Sequence, residues 1–310
     1  MEVSKLKKVV SMVLMAMIVM VWGTNVLQVK AHPMTMYLEL EQEEKPKQII
    51  DNDVIYEYMI SEQGNYVVVD KTNKIISTYI CNQDNQPLSC TECEIMYENG
   101  QMIVGEPKVT ELYIYNEKGR LVQDIDTYGV TSYFYEEDEK GNIRQESITG
   151  SSWYPFVDDI EGKKFEQVVK DGIIYTYCYY ENGELYRKLV GAYKEDENIK
   201  IYAKDEKGKE DKLLSSVYSH GNTKSIYKYM YNQKGKLEDA ILSTDSGNQS
   251  RYHYEYDDKG NLIAQYSILD EKEVGIDIVY VNTYDEQDRL IQVETISDGY
   301  LFAEKRYIYD

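Results

Sequence analysis

Cysteine, histidine and paired carboxylates are the residues from which this 310-residue chain would have to build a catalytic or metal centre. Nucleophilic catalysis of the Ser-His-Asp or Cys-His kind needs a histidine, and the chain has three: His32, His220 and His253. His253 sits between Tyr252 and Tyr254 and so points to the other side of their strand, while His220-Gly221-Asn222 reads as a turn. Each is a plain strand or surface residue in this reading, not a general base. Cys90-x-x-Cys93 invites zinc or redox chemistry, but a structural zinc site needs two further ligands at close spacing and only Cys81 is near. The expectation is a disulfide from Cys81 to Cys90 or to Cys93 across the turn-rich run NQDNQP, or free thiols, with the partner left open.

Acidic chemistry is no better specified. Glycoside hydrolysis needs two carboxylates about 5 to 9 Å apart across a cleft, and 55 acidic residues nominate no pair. Neither Glu136-Glu137-Asp138-Glu139 nor Asp205-Glu206 fits the calcium-loop pattern. The phosphate- and dinucleotide-binding glycine motifs are absent as well. No enzyme activity, metal or cofactor is therefore expected. With 34 basic residues the formal charge is −21, which repels nucleic-acid phosphates and anionic lipid.

The elements that must position any site begin after residue 31. Lys5, Lys7 and Lys8 precede an apolar run from Val9 to Trp22, which reads as an export signal cleaved after Ala31 or after Gly23. An uncleaved anchor is the alternative and would be the sole membrane contact. Cleavage after Ala31 removes four lysines and one glutamate, taking the charge from −21 to −24. Residues 32–53 read as a lead-in, and residues 54–310 as one array of hairpins.

That array repeats a unit. YIYNEKGRL (Tyr113 to Leu121), YMYNQKGKL (Tyr229 to Leu237) and YEYDDKGNL (Tyr254 to Leu262) are its clearest copies, and turn glycines fall at Gly119, Gly141, Gly183, Gly208, Gly235 and Gly260. Asn116, Asn232, Asp257 and Asp285 suit the first turn position, where a side-chain oxygen accepts backbone N–H groups. The glycine closes a three-residue loop in the left-handed conformation, and Leu or Ile restarts the strand. In the last copy Asp288 takes the glycine's place. Tyrosine, at 32 residues against 4 Phe and 2 Trp, fills alternate positions. Tyr175, Tyr177 and Tyr179 share one strand face, as do Tyr227, Tyr229 and Tyr231, and Tyr252, Tyr254 and Tyr256, so cross-strand aromatic ladders are expected.

The pattern Y-x-Y-[D/N]-x-x-G-[K/R/N]-[L/I] resembles the YD repeat of rearrangement-hotspot (Rhs) proteins over roughly residues 111 to 310. YYENGEL (Tyr179 to Leu185) is also similar to a MORN-type hairpin. The YD resemblance implies an all-β fold of strand-turn-strand units in an extended, coiled or curled antiparallel sheet, exported or at the cell surface. It also implies roles in carbohydrate binding, in adhesion or in a shell around a toxic segment. The expected function is a non-enzymatic extracytoplasmic binding module for a cell-wall or host glycan or a protein. A partial shell of an Rhs-like toxin system is the alternative, and an extracellular glycoside hydrolase a further one. Trp153, Tyr154 and Phe156 form the one aromatic cluster outside the regular pattern and are the expected ligand contact. An unpaired strand edge at Tyr307 to Asp310 would leave room for association with another chain.

Overall fold

β-branched and aromatic residues at period two, punctuated by Asx and Gly, leave this chain little alternative to antiparallel hairpins. In the computed structural model, residues 45–61, 65–99, 101–193, 198–204, 210–220, 223–269 and 272–309 are described. The export segment, most of the lead-in and Gly208 lie outside them.

Twenty-two strands follow one another: β1 (Gln48–Asp51), β2 (Val54–Ile60), β3 (Tyr66–Asp70), β4 (Ile75–Cys81), β5 (Pro87–Glu98), β6 (Gln101–Val104), β7 (Lys108–Tyr115), β8 (Leu121–Asp126), β9 (Gly129–Glu137), β10 (Ile143–Ser151), β11 (Lys163–Lys170), β12 (Ile173–Tyr180), β13 (Leu185–Tyr193), β14 (Asn198–Lys204), β15 (Glu210–His220), β16 (Thr223–Tyr231), β17 (Leu237–Thr244), β18 (Gln249–Tyr256), β19 (Leu262–Leu269), β20 (Lys272–Tyr284), β21 (Leu290–Ser297) and β22 (Tyr300–Ile308). Nineteen of them form one sheet, and three, β11 to β13, form a second.

The large sheet is a closed barrel. Strands that are neighbours in the ring pair antiparallel, β5 with β7 and β10 with β14 where other strands intervene in the chain, and β1 pairs with both β2 and β22. This corrects the expected extended or coiled sheet and the expected free edge at Tyr307. Tyr307 lies opposite Ile49, Ile308 opposite Gln48, and Asn52 and Glu304 bond across the same seam. Closure removes strand edges, which an open array of this length would expose. Eighteen strands make the ring; β6 hangs on β5 alone. The stretch read as a lead-in thus supplies β1.

Register sorts the side chains into two faces. Tyr58, Val68, Ser77, Tyr79, Cys90, Ile143, Tyr202, Tyr227, Tyr252, Tyr254, Ile278, Tyr280 and Tyr307 point inward and are buried. Most of the outer wall is half-buried to exposed. Its main covering is the β11–β13 sheet, inserted between β10 and β14, with Ile125 and Val130 of the barrel packing against Phe156, Val157, Ile160 and Cys178. Gly150 allows that contact: a Cβ there would lie 2.2 Å from Thr176 Oγ1 of β12. Gln167 of β11 locks it, donating to Val130 O at 2.7 Å and accepting from Ser132 Oγ at 2.7 Å.

The four cysteines are free. Cys90 faces inward opposite Tyr79 and Cys93 stands opposite Ile76 on the outer face. Cys81, two residues beyond Tyr79, is a diagonal neighbour of Cys90, about 7–8 Å between Cα atoms and too far for a bridge. The expected disulfide is therefore not formed here.

A cleft at the rim of repeat turns

Because the barrel is up-and-down, the described repeat turns of the barrel fall on one rim, while the Gly183 turn belongs to the inserted sheet. Each is built alike. Asn116 Oδ1 accepts from the N–H groups of Lys118 and Arg120, both at 3.0 Å, and Asp257 Oδ1 accepts from Lys259 at 3.0 Å and Asn261 at 2.8 Å. Asn232, Asp138, Asp285 and Asn82 repeat the arrangement. Gly119, Gly141, Gly183, Gly235 and Gly260 all have φ between 73° and 86°, and Asp288 has φ 63°. The Asn82 turn carries Asn85 (φ 59°) where the others have glycine, which hid it in the sequence.

Tyrosines stitch one hairpin to the next. The ladder between successive hairpins stops short of the rim, leaving carbonyls for other donors. Tyr135 Oη donates to Leu121 O at 2.7 Å, Tyr231 Oη to Leu213 O at 2.8 Å and Tyr309 Oη to Leu290 O at 2.9 Å. Cations cover the same rings: Arg120 lies 5.5 Å from the Tyr135 centroid, Lys212 5.7 Å from Tyr231 and Arg289 4.5 Å from Tyr309. Between β19 and β20, Asn282 Nδ2 donates to Leu262 O at 3.1 Å and Tyr284 Oη to Asp257. The Tyr, Leu and basic positions of the repeat are thus contacts between units.

One seam opens. The β17–β18 ladder ends at Asp239 opposite His253, and below it hairpins 231–238 and 254–260 diverge around a cleft of about 910 Å³. Tyr231, Tyr254 and Tyr256 are among the residues that line it, with Glu238, Glu255, Asp257, Asp258, Lys234, Lys236 and Lys259, which carry charge of both signs. At its upper end Asp239 is buried and accepts from Arg251 Nε and Nη2, at 2.9 and 2.8 Å, and lies 3.0 Å from His253 Nδ1. Burial works against ionisation of Asp239, but the bonds to Arg251 and His253 outweigh it and hold the carboxyl below its usual range. Asp257 is held low in the same way: burial raises it, and bonds from Tyr284, Asn261, Asn282 and Lys259 together prevail.

Tyr254 lines the cleft, only 3% exposed. Its hydroxyl finds no hydrogen-bond partner among the described residues, and neither does Nε2 of Gln265, the residue directly opposite on β19. Burial, with Tyr229, Tyr280 and other tyrosines nearby, pushes the Tyr254 hydroxyl well above its ordinary range, so it stays a protonated donor. Buried polar groups placed side by side in this way are ones that an ordered water commonly serves.

The residues singled out in the sequence lie elsewhere. Trp153 and Tyr154 are 98% and 79% exposed at the opposite rim, whereas Phe156 is buried beneath the inserted sheet and is not available for contact. Tyr175, Tyr177 and Tyr179 stack at 6.4 and 6.2 Å on the solvent side of β12, and Tyr227 and Tyr229 stack at 6.3 Å inside the barrel. His253 faces outward, on the opposite side from Tyr252 and Tyr254. No cluster of His, Cys, Asp and Glu able to hold a metal ion occurs among the described residues.

No family model matches the chain, and no curated protein matches it. Among solved structures it is similar to a chain of the crystal structure of TcdB2-TccC3-Cdc42, at 16% identity and TM-score 0.24, over 79% of this chain and 14% of that one. The chain thus spans about one seventh of that relative's length. Porin-like proteins from Bacteroides vulgatus (9% identity, TM-score 0.29) and Bacteroides uniformis (10%, 0.18) match over 86% of this chain and 98% of theirs. At TM-scores this low the likenesses carry no argument about family or activity.

Proposed function

We propose that this is a non-enzymatic, extracytoplasmic binding module whose β17–β18 cleft holds a neutral oligosaccharide of a cell wall or host glycan. The observation that carries the reading is the rim cleft itself, in which Tyr231 and Tyr256 stand among charged and amide groups of both polarities. Rings that stack and hydrogen-bonding groups of both polarities suit a polyhydroxylated ligand, and the cleft volume is within the usual range for small-ligand sites. Near-balanced charge in the cleft, within a chain of −21, favours a neutral sugar over an anionic one.

Two features support a binding module over the alternatives. The first and last strands of the ring pair with each other, so the barrel leaves no place in its wall for a further shell hairpin. The outer wall carries Arg144 with Glu146, Asp239 with Arg251, and Glu304 with Arg306. A cation at the midplane of a lipid-facing band costs about 2–4 kcal/mol, so this wall suits water.

The test is a glycan array followed by calorimetry on the chain as exported. Neutral oligosaccharides are expected to bind, and Tyr256→Ala, which removes a ring from the cleft lining, to weaken them at least tenfold while the far-ultraviolet spectrum of the folded barrel is kept. Binding indifferent to Tyr256→Ala, or no binding by any glycan, would reject the reading.

A further inference from the structure

The rim opposite the repeat turns carries the one strand that the barrel leaves half-paired. β6 pairs with β5 alone, through Glu98 with Gln101, Tyr97 with Met102, Met96 with Ile103 and Ile95 with Val104. β7 continues its line and pairs with β5 lower down, and β8 ends at Asp126 opposite Glu111, so no described strand reaches the far edge of β6.

The register says which groups that edge presents. Glu98 pairs with Gln101 at one end of the ribbon, and at the other Gly105 N donates to Glu94 O at 2.8 Å. Alternation between these two fixed points turns the N–H and C=O of Gln101 and Ile103 toward β5, and those of Met102 and Val104 away from it. Met102 and Val104 therefore offer two donors and two acceptors along an open edge. The side chains do nothing to blunt it: Met96, Tyr97, Met102, Ile103 and Val104 are all exposed. The free edges of the inserted sheet differ, for β11 carries Lys163, Lys164, Glu166 and Lys170, the charged residues that usually guard an edge.

The surroundings select the occupant. Exposed Glu94, Glu98 and Glu106 flank the ribbon and outnumber Lys74 and Lys108, on a chain of net charge −21. A second copy would bring equal negative charge to the same place. A basic, extended segment would not. Ile160 N donates to Val109 O, at 3.1 Å, bringing the segment that bears exposed Trp153 and Tyr154 to the strand that continues β6.

We propose that the β5–β6 ribbon is a strand-addition site for an extended, basic peptide segment of another protein, paired through the backbone of Met102 and Val104. Affinity comes from main-chain bonds and selectivity from alternate apolar side chains and flanking charge. This site is at the opposite rim from the cleft and does not depend on it.

The test uses the chain as exported with three synthetic probes: a lysine-flanked alternating Thr-Val peptide, its glutamate-flanked counterpart, and a lysine-flanked version with proline at alternate positions. The lysine-flanked peptide is expected to bind and to slow hydrogen exchange over residues 101–104 at least tenfold, with the other two at least tenfold weaker. Val104→Pro, which removes one outward N–H and none in the β5 ladder, should weaken the first peptide at least tenfold. Glu98→Lys with Glu106→Lys should reverse the preference between flanks, keeping the test open even if the proline variant misfolds. Equal binding by both flanks, or no protection of residues 101–104, would overturn the proposal. So would a dimer in sedimentation that Val104→Pro abolishes, since the occupant would then be a second copy.

Discussion

Asp257 shows how much a single side chain does at the turn rim. It accepts two backbone N–H groups of its own turn and the Tyr284 hydroxyl and Asn282 amide of the next hairpin. Its carboxyl, like that of Asp239, is held below the usual range. A carboxyl lowered on folding contributes stability that is complete above its unfolded value, about 3.9, and is withdrawn as the pH falls through the lower folded value. Melting temperature should therefore hold down to about pH 4 and drop below it, and Asp257→Asn should lower the plateau and flatten the acid drop. The stitching tyrosines are testable in the same way: Tyr309→Phe removes the bond to Leu290 O and should cost about 1 kcal/mol in urea unfolding. The first half of this was legible in the sequence, because an Asx turn is local and announces itself by spacing. The second half was not, since which carbonyl a tyrosine hydroxyl reaches is set by the neighbouring hairpin.

At the scale of elements, the hairpin unit was readable and the placement of the hairpins was not. β12 and β13 carry the same Tyr-x-Tyr and Asn-Gly signals as the barrel hairpins, yet they lie against the wall. What separates them is Gly150 on β10, a gap in the outer wall that only has meaning once Thr176 is seen above it. Gln167→Ala should test this docking, because it strands Val130 O and the Ser132 hydroxyl. A loss of about 1–3 kcal/mol is expected, confined to residues 163–193, so amide exchange there should quicken while barrel strands keep their protection. Exchange that quickened equally in the barrel would show that sheet and barrel unfold as one. The aromatic cluster at Trp153 divided for the same reason: Phe156 alone falls under the inserted sheet.

For the whole molecule, closure is the property that periodicity could not reveal. Alternation and turn spacing describe an open sheet and a barrel equally well, because closure depends on the match between β1 and β22, 250 residues apart and unlike in sequence. Ile49 sits in that join, fully buried. Ile49→Ala should destabilise the chain by about 2–5 kcal/mol, as measured by denaturant midpoint, although β1 is only four residues long. The bond from Glu304 N to Asn52 Oδ1 joins residues 252 positions apart. A polypeptide made from its amino end meets this demand last: β1 waits through the synthesis of some 250 residues before its second neighbour exists. Until then two raw strand edges stand open, and the slow, non-local step of joining them belongs to the period after release. A chain built this way is best kept from settling until both of those strands have been made.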